Sequence, residues 1–177
     1  MSRKVNSTAD IAMKNIVKII LIAFACLLYS GAVHSEQKAD SVLVIKSKSR
    51  LYLMRKGEAF ASFRVTFGTN PKGHKQQQGD GRTPEGRYTL GYKNSNSKFY
   101  KSIHISYPNA TDRKNAKKRG VDPGGDIMIH GQRNRWGLLS PIAQLFNWTN
   151  GCIALSDRDM DAVWKAVNVG TPIEISP

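Results

Sequence analysis

Alternation of hydrophobic and polar residues runs through the chain from residue 41 onwards and predicts a β-sheet domain. Short apolar runs rich in β-branched and aromatic residues are separated by turn residues, as is typical of strands. The predicted strands are Val42–Ile45, Arg50–Met54, Ala59–Phe67, Gly86–Tyr92, Ser102–Tyr107, Asp126–His130, Ile153–Leu155 and Pro172–Ile175. A polar, glycine-rich stretch from Gly68 to Glu85 predicts a long loop that is either functional or mobile.

Helical patterns occupy only short parts of the chain. Leu138–Phe146 contains a Ser-Pro pair that is typical of a helix N-terminus, and a second helix is predicted to begin after Ser156 and to end at Gly170. The basic stretch Asn109–Gly120 is predicted to be a solvated helix or loop. The fold class is therefore mainly β, with two or three short helices packed at one end of the domain.

The first 35 residues have the pattern of a secretory signal peptide. An apolar run, Ile16–Tyr29, follows basic residues and ends before small residues suited to a cleavage site. The run is shorter than the ~20 residues of a bilayer span, so cleavage is favoured over an uncleaved membrane anchor. We expect a signal peptide at 1–35, a single domain at 36–177, and no stable membrane span after cleavage. The domain is then secreted across the inner membrane into the periplasm or cell envelope.

The chain is strongly basic, which indicates an anionic partner. It has 27 Lys and Arg residues against 13 Asp and Glu, and residues 36–177 keep a net charge of +11 after four basic residues and one acidic residue leave with the signal peptide. Cell-wall polymer, anionic lipid and nucleic acid all fit such a charge. The basic stretch 109–120 lacks aromatic stacking residues, so we expect no nucleic acid partner and favour an anionic cell-wall polymer.

Cysteine usage directs attention to a single thiol. Cys26 lies in the predicted signal peptide, so the exported domain has only Cys152 and no internal disulfide. Cys152 follows an Asn-Gly turn and begins an apolar run, while His130 ends a predicted strand 22 positions earlier. If the two strands are neighbours, the thiol and the imidazole can meet as nucleophile and base. The alternative is that Cys152 is a small buried hydrophobic residue.

A catalytic cysteine also needs fixed donors for the oxyanion that forms when it attacks a carbonyl. Successive backbone N–H groups of Asn150, Gly151 and Cys152 are the candidates, and glycine before the nucleophile lets the backbone approach a substrate closely. His104 is expected to be solvated or satisfied, because strand alternation groups it with polar residues. The cysteine and histidines of the domain lack metal-ligand spacing, so no metal and no cofactor are expected.

Four motifs resemble those of the L,D-transpeptidase catalytic domain family of the YkuD type. They are Gly79-Asp80-Gly81-Arg82-Thr83-Pro84-Glu85-Gly86, Ile105-Ser106-Tyr107-Pro108-Asn109, Ile129-His130-Gly131 and Thr149-Asn150-Gly151-Cys152. The resemblance spans nearly all of residues 41–176 and implies a β-sandwich-like fold. It also implies that Cys152 is the nucleophile, that His130 is the base, and that the Gly131 carbonyl orients the imidazole.

The resemblance implies a role in peptidoglycan and cell-wall biogenesis. The family's substrate is the peptide stem of peptidoglycan, cut between its third residue and a terminal D-amino acid, with transfer of the acyl group to another stem's amine, a lipoprotein lysine or water. Residues within or beside the motifs are candidate substrate contacts: Tyr107, Asn109, Trp148 and Arg82.

Two positions depart from the commonest family pattern and bear on the acyl acceptor. Asn150 stands where many members have a second histidine, and Ala154 stands where many have arginine or asparagine. The Thr-x-Gly-Cys-Ile-Ala form also resembles branches associated with hydrolysis. We expect transfer to an amine, with an L,D-carboxypeptidase or amidase as the alternative.

Two other classes of function fit parts of the pattern. A basic wall-binding module with an inactive site would have the same charge, and a thiol redox protein would also use Cys152. The second class needs a resolving cysteine that the exported domain lacks.

Overall fold

A sheet of eight strands forms the framework of the computed structural model, which describes residues 37–134 and 140–177. The strands are β1 (Ser41–Ile45), β2 (Arg50–Arg55), β3 (Glu58–Arg64), β4 (Gly86–Ser97), β5 (Tyr100–Ile105), β6 (Met128–His130), β7 (Ile153–Ala154) and β8 (Pro172–Ser176). Three helices accompany them: α1 (Ala110–Arg119), α2 (Ser140–Ala143) and α3 (Asp157–Ala166). The predicted signal peptide and the first residues of the predicted Leu138–Phe146 helix lie outside the described residues.

The order of the strands is β3-β2-β1-β8-β4-β5-β6-β7. The β1–β8 and β6–β7 pairs are parallel and the others are antiparallel. Strand β4 belongs to both halves of the sheet, because Gly86–Thr89 pairs with β8 and the part from Leu90 onwards pairs with β5. The mainly β prediction is confirmed.

The two edges of the sheet meet through the chain that follows β3. Thr66 forms an antiparallel bridge with Ala154 of β7, and Gly68 forms a parallel bridge with Thr149. The predicted strand Ala59–Phe67 is therefore two segments with different partners, since β3 ends at Arg64 and the chain then leaves β2 for β7. This exchange of partner curls the sheet into the expected sandwich-like form.

Strand alternation in the sequence corresponds to burial in the structure. Every second residue of β1, β2, β5 and β8 is buried in one core, as a period of two requires. These residues are Val42, Val44, Leu51, Leu53, Ile103, Ile105, Ile173 and Ile175. Helix α3 covers this core with Met160, Val163 and Ala166, and Trp164 packs against its margin.

Capping residues define the two longer helices. Asn109 accepts hydrogen bonds from the N–H groups of Thr111 and Asp112, and Gly120 ends α1 in the left-handed conformation. Ser156 caps α3 by accepting the N–H of Asp159. The helix predicted to continue to Phe146 instead ends at Ala143, where the apolar side chains beyond it are exposed and give a longer helix no buried face.

The loop from 68 to 85 is packed by backbone contacts at glycines. A Cβ added to Gly68 would lie 2.0 Å from the carbonyl oxygen of Gly81 and 2.9 Å from the nitrogen of Gly151. Gly151 has a φ of +111°, and a Cβ there would lie 2.6 Å from the carbonyl oxygen of Arg82. The backbone at Gly68, at Gly81–Arg82 and at Gly151 is therefore packed too closely to leave room for a Cβ atom at Gly68 or Gly151. This contact lies beneath the turn that leads to Cys152.

We expect Gly68→Ala to destabilise the domain, because the added methyl group overlaps a carbonyl oxygen in a backbone contact that cannot yield. The expected loss is about 1–3 kcal/mol or more in the free energy of unfolding, measured by denaturant titration. Gly125→Ala is the matched control, since a Cβ at Gly125 meets nothing within 4 Å. Equal stability of the two variants would contradict the packing argument.

Candidate active site

Strands β6 and β7 bring His130 and Cys152 to one cavity. They are neighbours in parallel register, with Ile129 opposite Ile153 and His130 opposite Ala154. Cys152 immediately precedes β7, and because side chains alternate, it shares a sheet face with Ala154 and His130. Both residues line a cavity of about 750 Å³. The predicted meeting of thiol and imidazole thus has its structural basis in adjacent strands.

Thr149 fixes the turn that carries Cys152. Its hydroxyl donates to the carbonyl of Cys152 at 2.7 Å and accepts the N–H of Gly151 at 3.2 Å. Its own N–H donates to the carbonyl of Phe67, and its carbonyl accepts the N–H of Thr69. The N–H of Gly151 is therefore directed into the turn, which leaves Asn150 and Cys152 as the candidates among the three predicted oxyanion donors.

His130 is held as a neutral imidazole with one free nitrogen. Its Nδ1 lies 2.6 Å from the carbonyl oxygen of Gly131, and because a carbonyl only accepts, Nδ1 carries the proton and Nε2 is the basic atom. Burial lowers the pKa of His130 to about 4, although the hydrogen bond to Gly131 acts in the opposite direction. Gly131 is fixed in turn by its N–H, which donates to the carbonyl of Lys101.

Cys152 is half-buried and protonated at neutral pH. Its Sγ lies 3.6 Å from the carbonyl oxygen of Asp126, to which the thiol can donate. Burial raises the pKa of the Cys152 thiol, a backbone hydrogen bond from Met128 and the charge of Lys75 lower it, and the charge of Asp126 raises it further. Both partners of the pair therefore rest in their uncharged forms.

Aromatic rings form the wall beside His130. The Phe99 ring lies 4.7 Å from the His130 ring between centroids, and the Trp148 ring lies 5.7 Å from it. Trp148 is a predicted contact that does line the cavity. Phe99, which lies at the tip of the β4–β5 hairpin, was missed by sequence reasoning, because only the hairpin pairing carries it to His130.

Three predicted contact residues do not line this cavity. Tyr107 is buried and donates its hydroxyl to the carbonyl of Pro123 at 2.9 Å, while the side chain of Asn109 caps α1. Both side chains form hydrogen bonds within the fold at these positions, and a substrate contact by either residue stays a prediction. Arg82 acts through its backbone, which packs against Gly151, so it too supports the site from behind.

The two positions that depart from the family pattern have different surroundings. Asn150 is exposed and lines the cavity, whereas Ala154 is fully buried in the sheet and lines no cavity. Ala154 is therefore part of the packing of the sheet. His104 stacks on Tyr92, with ring centroids 5.0 Å apart, and lies outside the site as expected.

A second cavity of about 400 Å³, which we call the polar cavity, also reaches Cys152. It shares Asp126, Asn150 and Cys152 with the first cavity, and its wall includes Lys75 and Asp122. Lys75 is 3 % exposed and pairs with Asp80, the Nζ to Oδ1 distance being 2.9 Å. The first cavity combines the rings of Phe99 and Trp148 with polar and charged residues such as Lys98 and Arg133, whereas the second has no aromatic residue among the described residues of its wall. The thiol therefore lies between two differently lined cavities.

Within residues 37–134 and 140–177, no group of three or more histidine, cysteine or carboxylate side chains is placed to hold a metal ion. In the same ranges, no helix has the length and apolar character needed to cross a bilayer.

Comparisons with known proteins agree with this arrangement. The Escherichia coli K12 protein YafK, which carries an L,D-transpeptidase name, is 29% identical over 108 residues, covering 60% of this chain and 36% of YafK. The chain therefore spans about a third of that relative's length.

Solved structures share the fold. The helical cell shape determining protein Pgp2 of Campylobacter jejuni has a TM-score of 0.57 at 26% identity, covering 76% of this chain and 46% of Pgp2. Bd1075 of Bdellovibrio bacteriovorus has a TM-score of 0.54 at 20% identity, covering 80% of this chain and 49% of Bd1075. An L,D-transpeptidase of Mycobacterium tuberculosis has a TM-score of 0.50 at 17% identity, covering 77% of this chain and 57% of that structure.

The family model of the YkuD type matches residues 39–175, which is nearly the whole of the described sheet and includes both strands that carry His130 and Cys152. The chain belongs to the family of L,D-transpeptidase catalytic domains.

Proposed function

We propose that this chain is an exported cysteine acyltransferase that acts on peptidoglycan stem peptides in the periplasm or cell envelope. The observation that carries the proposal is that Cys152 and His130 line one cavity at the ends of paired strands. Family membership supports a peptidoglycan-modifying enzyme, and the likeness to a cell shape determining protein is consistent with a role in cell shape. N-terminal sequencing of the protein from the envelope fraction tests the export step.

In the first half-reaction, Sγ of Cys152 attacks the carbonyl carbon between the third stem residue and the terminal D-amino acid. The thiol and imidazole both rest uncharged, and a low-dielectric wall disfavours their separation into thiolate and imidazolium. Nε2 of His130 therefore takes the proton as the S–C bond forms. The same proton then passes to the departing nitrogen, so that the C–N bond breaks, a free D-amino acid leaves, and a thioester remains on Cys152.

The oxyanion that forms during this attack needs donors close to the thiol. The N–H groups of Asn150 and Cys152 are the remaining candidates, since that of Gly151 is directed to Thr149. Backbone donors fixed by a rigid turn stabilise the developing charge without reorganising, which is the main advantage of such a site. The anchoring of Thr149 to the 67–69 segment supplies that rigidity.

In the second half-reaction, an amine attacks the thioester, transfers its proton to His130 and displaces Cys152. The basic surface concentrates anionic wall strands that carry such amines, which favours transfer. One observation favours hydrolysis as the second candidate: the polar cavity reaches Cys152 beside the exposed Asn150, and it offers a path for water. The two outcomes differ only in the nucleophile that reaches the thioester.

We expect Cys152→Ala to abolish release of D-alanine from tetrapeptide muropeptides, since it removes the atom that bonds to the substrate. His130→Ala should lower kcat by at least about 100-fold, and the double variant should be no slower than the slower single variant, because the two groups act as a unit. His104→Ala, which removes a histidine outside the site, is the matched control and should retain nearly full turnover. D-alanine release by Cys152→Ala, or turnover of His130→Ala close to the wild-type rate, would refute the paired role.

The pH dependence of kcat/KM should report the low pKa of His130. Protonation removes the base, so activity is expected to stay near its plateau from pH 7 to about pH 5 and to fall by half near pH 4. An unperturbed imidazole would give the half-point near pH 6.5. An NMR titration of the His130 ring protons supplies the same pKa without substrate, and a value above 6 in both measurements would contradict the lowered pKa of His130.

Product analysis decides between the two acceptors. Incubation with tetrapeptide muropeptides should yield free D-alanine together with dimers joined between two third-position residues. Low salt should increase the dimer fraction, because the attraction between a basic domain and anionic strands is screened by salt. Accumulation of tripeptide and D-alanine alone, even at high acceptor concentration, would identify a hydrolase.

A further inference from the structure

The polar cavity contains a buried cation that the reaction described above does not use. Lys75 lies in its wall with Cys152, and the side chain is almost wholly buried. The Nζ atom donates to Asp80 Oδ1 at 2.9 Å and to the carbonyl of Gln77 at 3.1 Å. An ammonium group has three N–H donors, so one donor remains for a ligand in the cavity.

The surroundings hold Lys75 in place. Asp80 also accepts the backbone N–H groups of Gln76, Gln77 and Arg82, so both of its oxygens are engaged and its position is set by the loop itself. These hydrogen bonds contribute to a lowered pKa of Asp80, so the carboxylate stays charged near neutral pH. The ammonium is therefore fixed in advance, and a ligand that meets it does not have to order a flexible side chain.

The size and charge of this cavity fit an amino acid. About 400 Å³ accommodates a single residue-sized ligand, and the cavity wall includes both Lys75 and the carboxylates of Asp122 and Asp126. A simple anion would be repelled by the two carboxylates, whereas a molecule with a carboxylate and an amine on one carbon suits both signs of charge. The leaving D-amino acid has this form, and so does an acceptor amine next to a carboxylate.

We propose that the polar cavity is the subsite for the amino acid on the amine side of the scissile bond, and that Lys75 binds its carboxylate. This inference rests on the proposed function, because it assigns the leaving group of that reaction. Lys75 and Cys152 line the same cavity, so a leaving group held at the thiol can extend its carboxylate, two bonds from the scissile nitrogen, into the cavity that Lys75 lines. Attack of an acceptor amine on the thioester is the reverse of the step in which the leaving amine departs, so both amines occupy the same position. Lys75 therefore also selects acceptors that carry a carboxylate beside the amine.

The test compares two substrates that differ in one charge. A stem tetrapeptide ending in D-alanine and the same peptide ending in D-alanine carboxamide are supplied to the wild-type protein and to Lys75→Met. The wild type should prefer the acid by about 10- to 100-fold in kcat/KM, as a charged hydrogen bond predicts, and Lys75→Met should reduce that preference to about onefold. Lys114→Met, which removes an exposed lysine of α1, is the matched control and should keep the wild-type preference.

The ratio separates substrate binding from other effects of Lys75. Loss of packing, or a changed thiol reactivity, would slow both peptides equally and leave the preference intact, which would overturn the proposal. No preference in the wild type would also overturn it. If Lys75→Met does not fold, the pair Lys75→Met with Asp80→Asn removes both charges together and is expected to lose the preference in the same way.

A binding measurement distinguishes failure of this inference from failure of the proposed function. The Cys152→Ala protein should bind the acid peptide at least about tenfold more tightly than the carboxamide, and added Lys75→Met should remove the difference. If the wild type cleaves neither peptide but this difference persists, the subsite stands and the proposed reaction is wrong. If the peptides are cleaved and the difference in binding and in turnover is absent, the reaction stands and the subsite is wrong.

Discussion

Two residues of strand, Ile153 and Ala154, hold the candidate site together. On one side, Ala154 exchanges two backbone hydrogen bonds with Thr66, at 3.0 Å and 2.9 Å. On the other side, β7 pairs with β6, and the N–H of Leu155 donates to the carbonyl of His130. Because β7 is so short, nearly every backbone group in it serves to align Cys152 with His130. Ala154 is fully buried at this position between β6 and the segment that contains Thr66.

The environment of the site determines which chemistry is available. A cysteine with a nearby cation and exposed imidazole can rest as a thiolate, but here burial disfavours the charged form of each partner. The rings of Phe99 and Trp148 are part of the surroundings that bury the His130 imidazole. In the proposed mechanism, proton transfer therefore accompanies attack, and the hydrogen bond from Nδ1 to the Gly131 carbonyl leaves Nε2 as the base.

Local pattern was sufficient to predict most of the strands, the Ser156 cap and the placement of Cys152 and His130 at neighbouring strand ends. The Asn-Gly turn before Cys152 and the strand end at His130 are both visible in the sequence, and so are the alternating core residues such as Val42 and Val44. The pattern of apolar and polar residues was insufficient where the structure of a segment depends on which strand it pairs with. Alternation continues unbroken through Val65 and Phe67, so nothing local indicates that the chain exchanges β2 for β7 at this point.

Side chains that reach the site from distant segments were likewise hidden. Lys75 lies in a polar loop where a lysine is ordinarily exposed, and its burial depends on the ring of hydrogen bonds around Asp80. Tyr107 lies at a strand end within a family motif, where its side chain was expected to contact substrate. In the structure its side chain is buried, and its hydroxyl donates a hydrogen bond to the carbonyl of Pro123. Such assignments depend on contacts between remote positions, which composition and periodicity do not encode.

The protonated resting state of Cys152 also affects how long the protein survives. Peroxides, disulfides and alkylating agents react with thiolates, and oxidation of a lone cysteine to sulfinic acid is irreversible for most proteins. A thiol whose pKa is raised by burial presents little thiolate at neutral pH, so these side reactions are slow. Burial therefore protects this thiol against oxidation and alkylation.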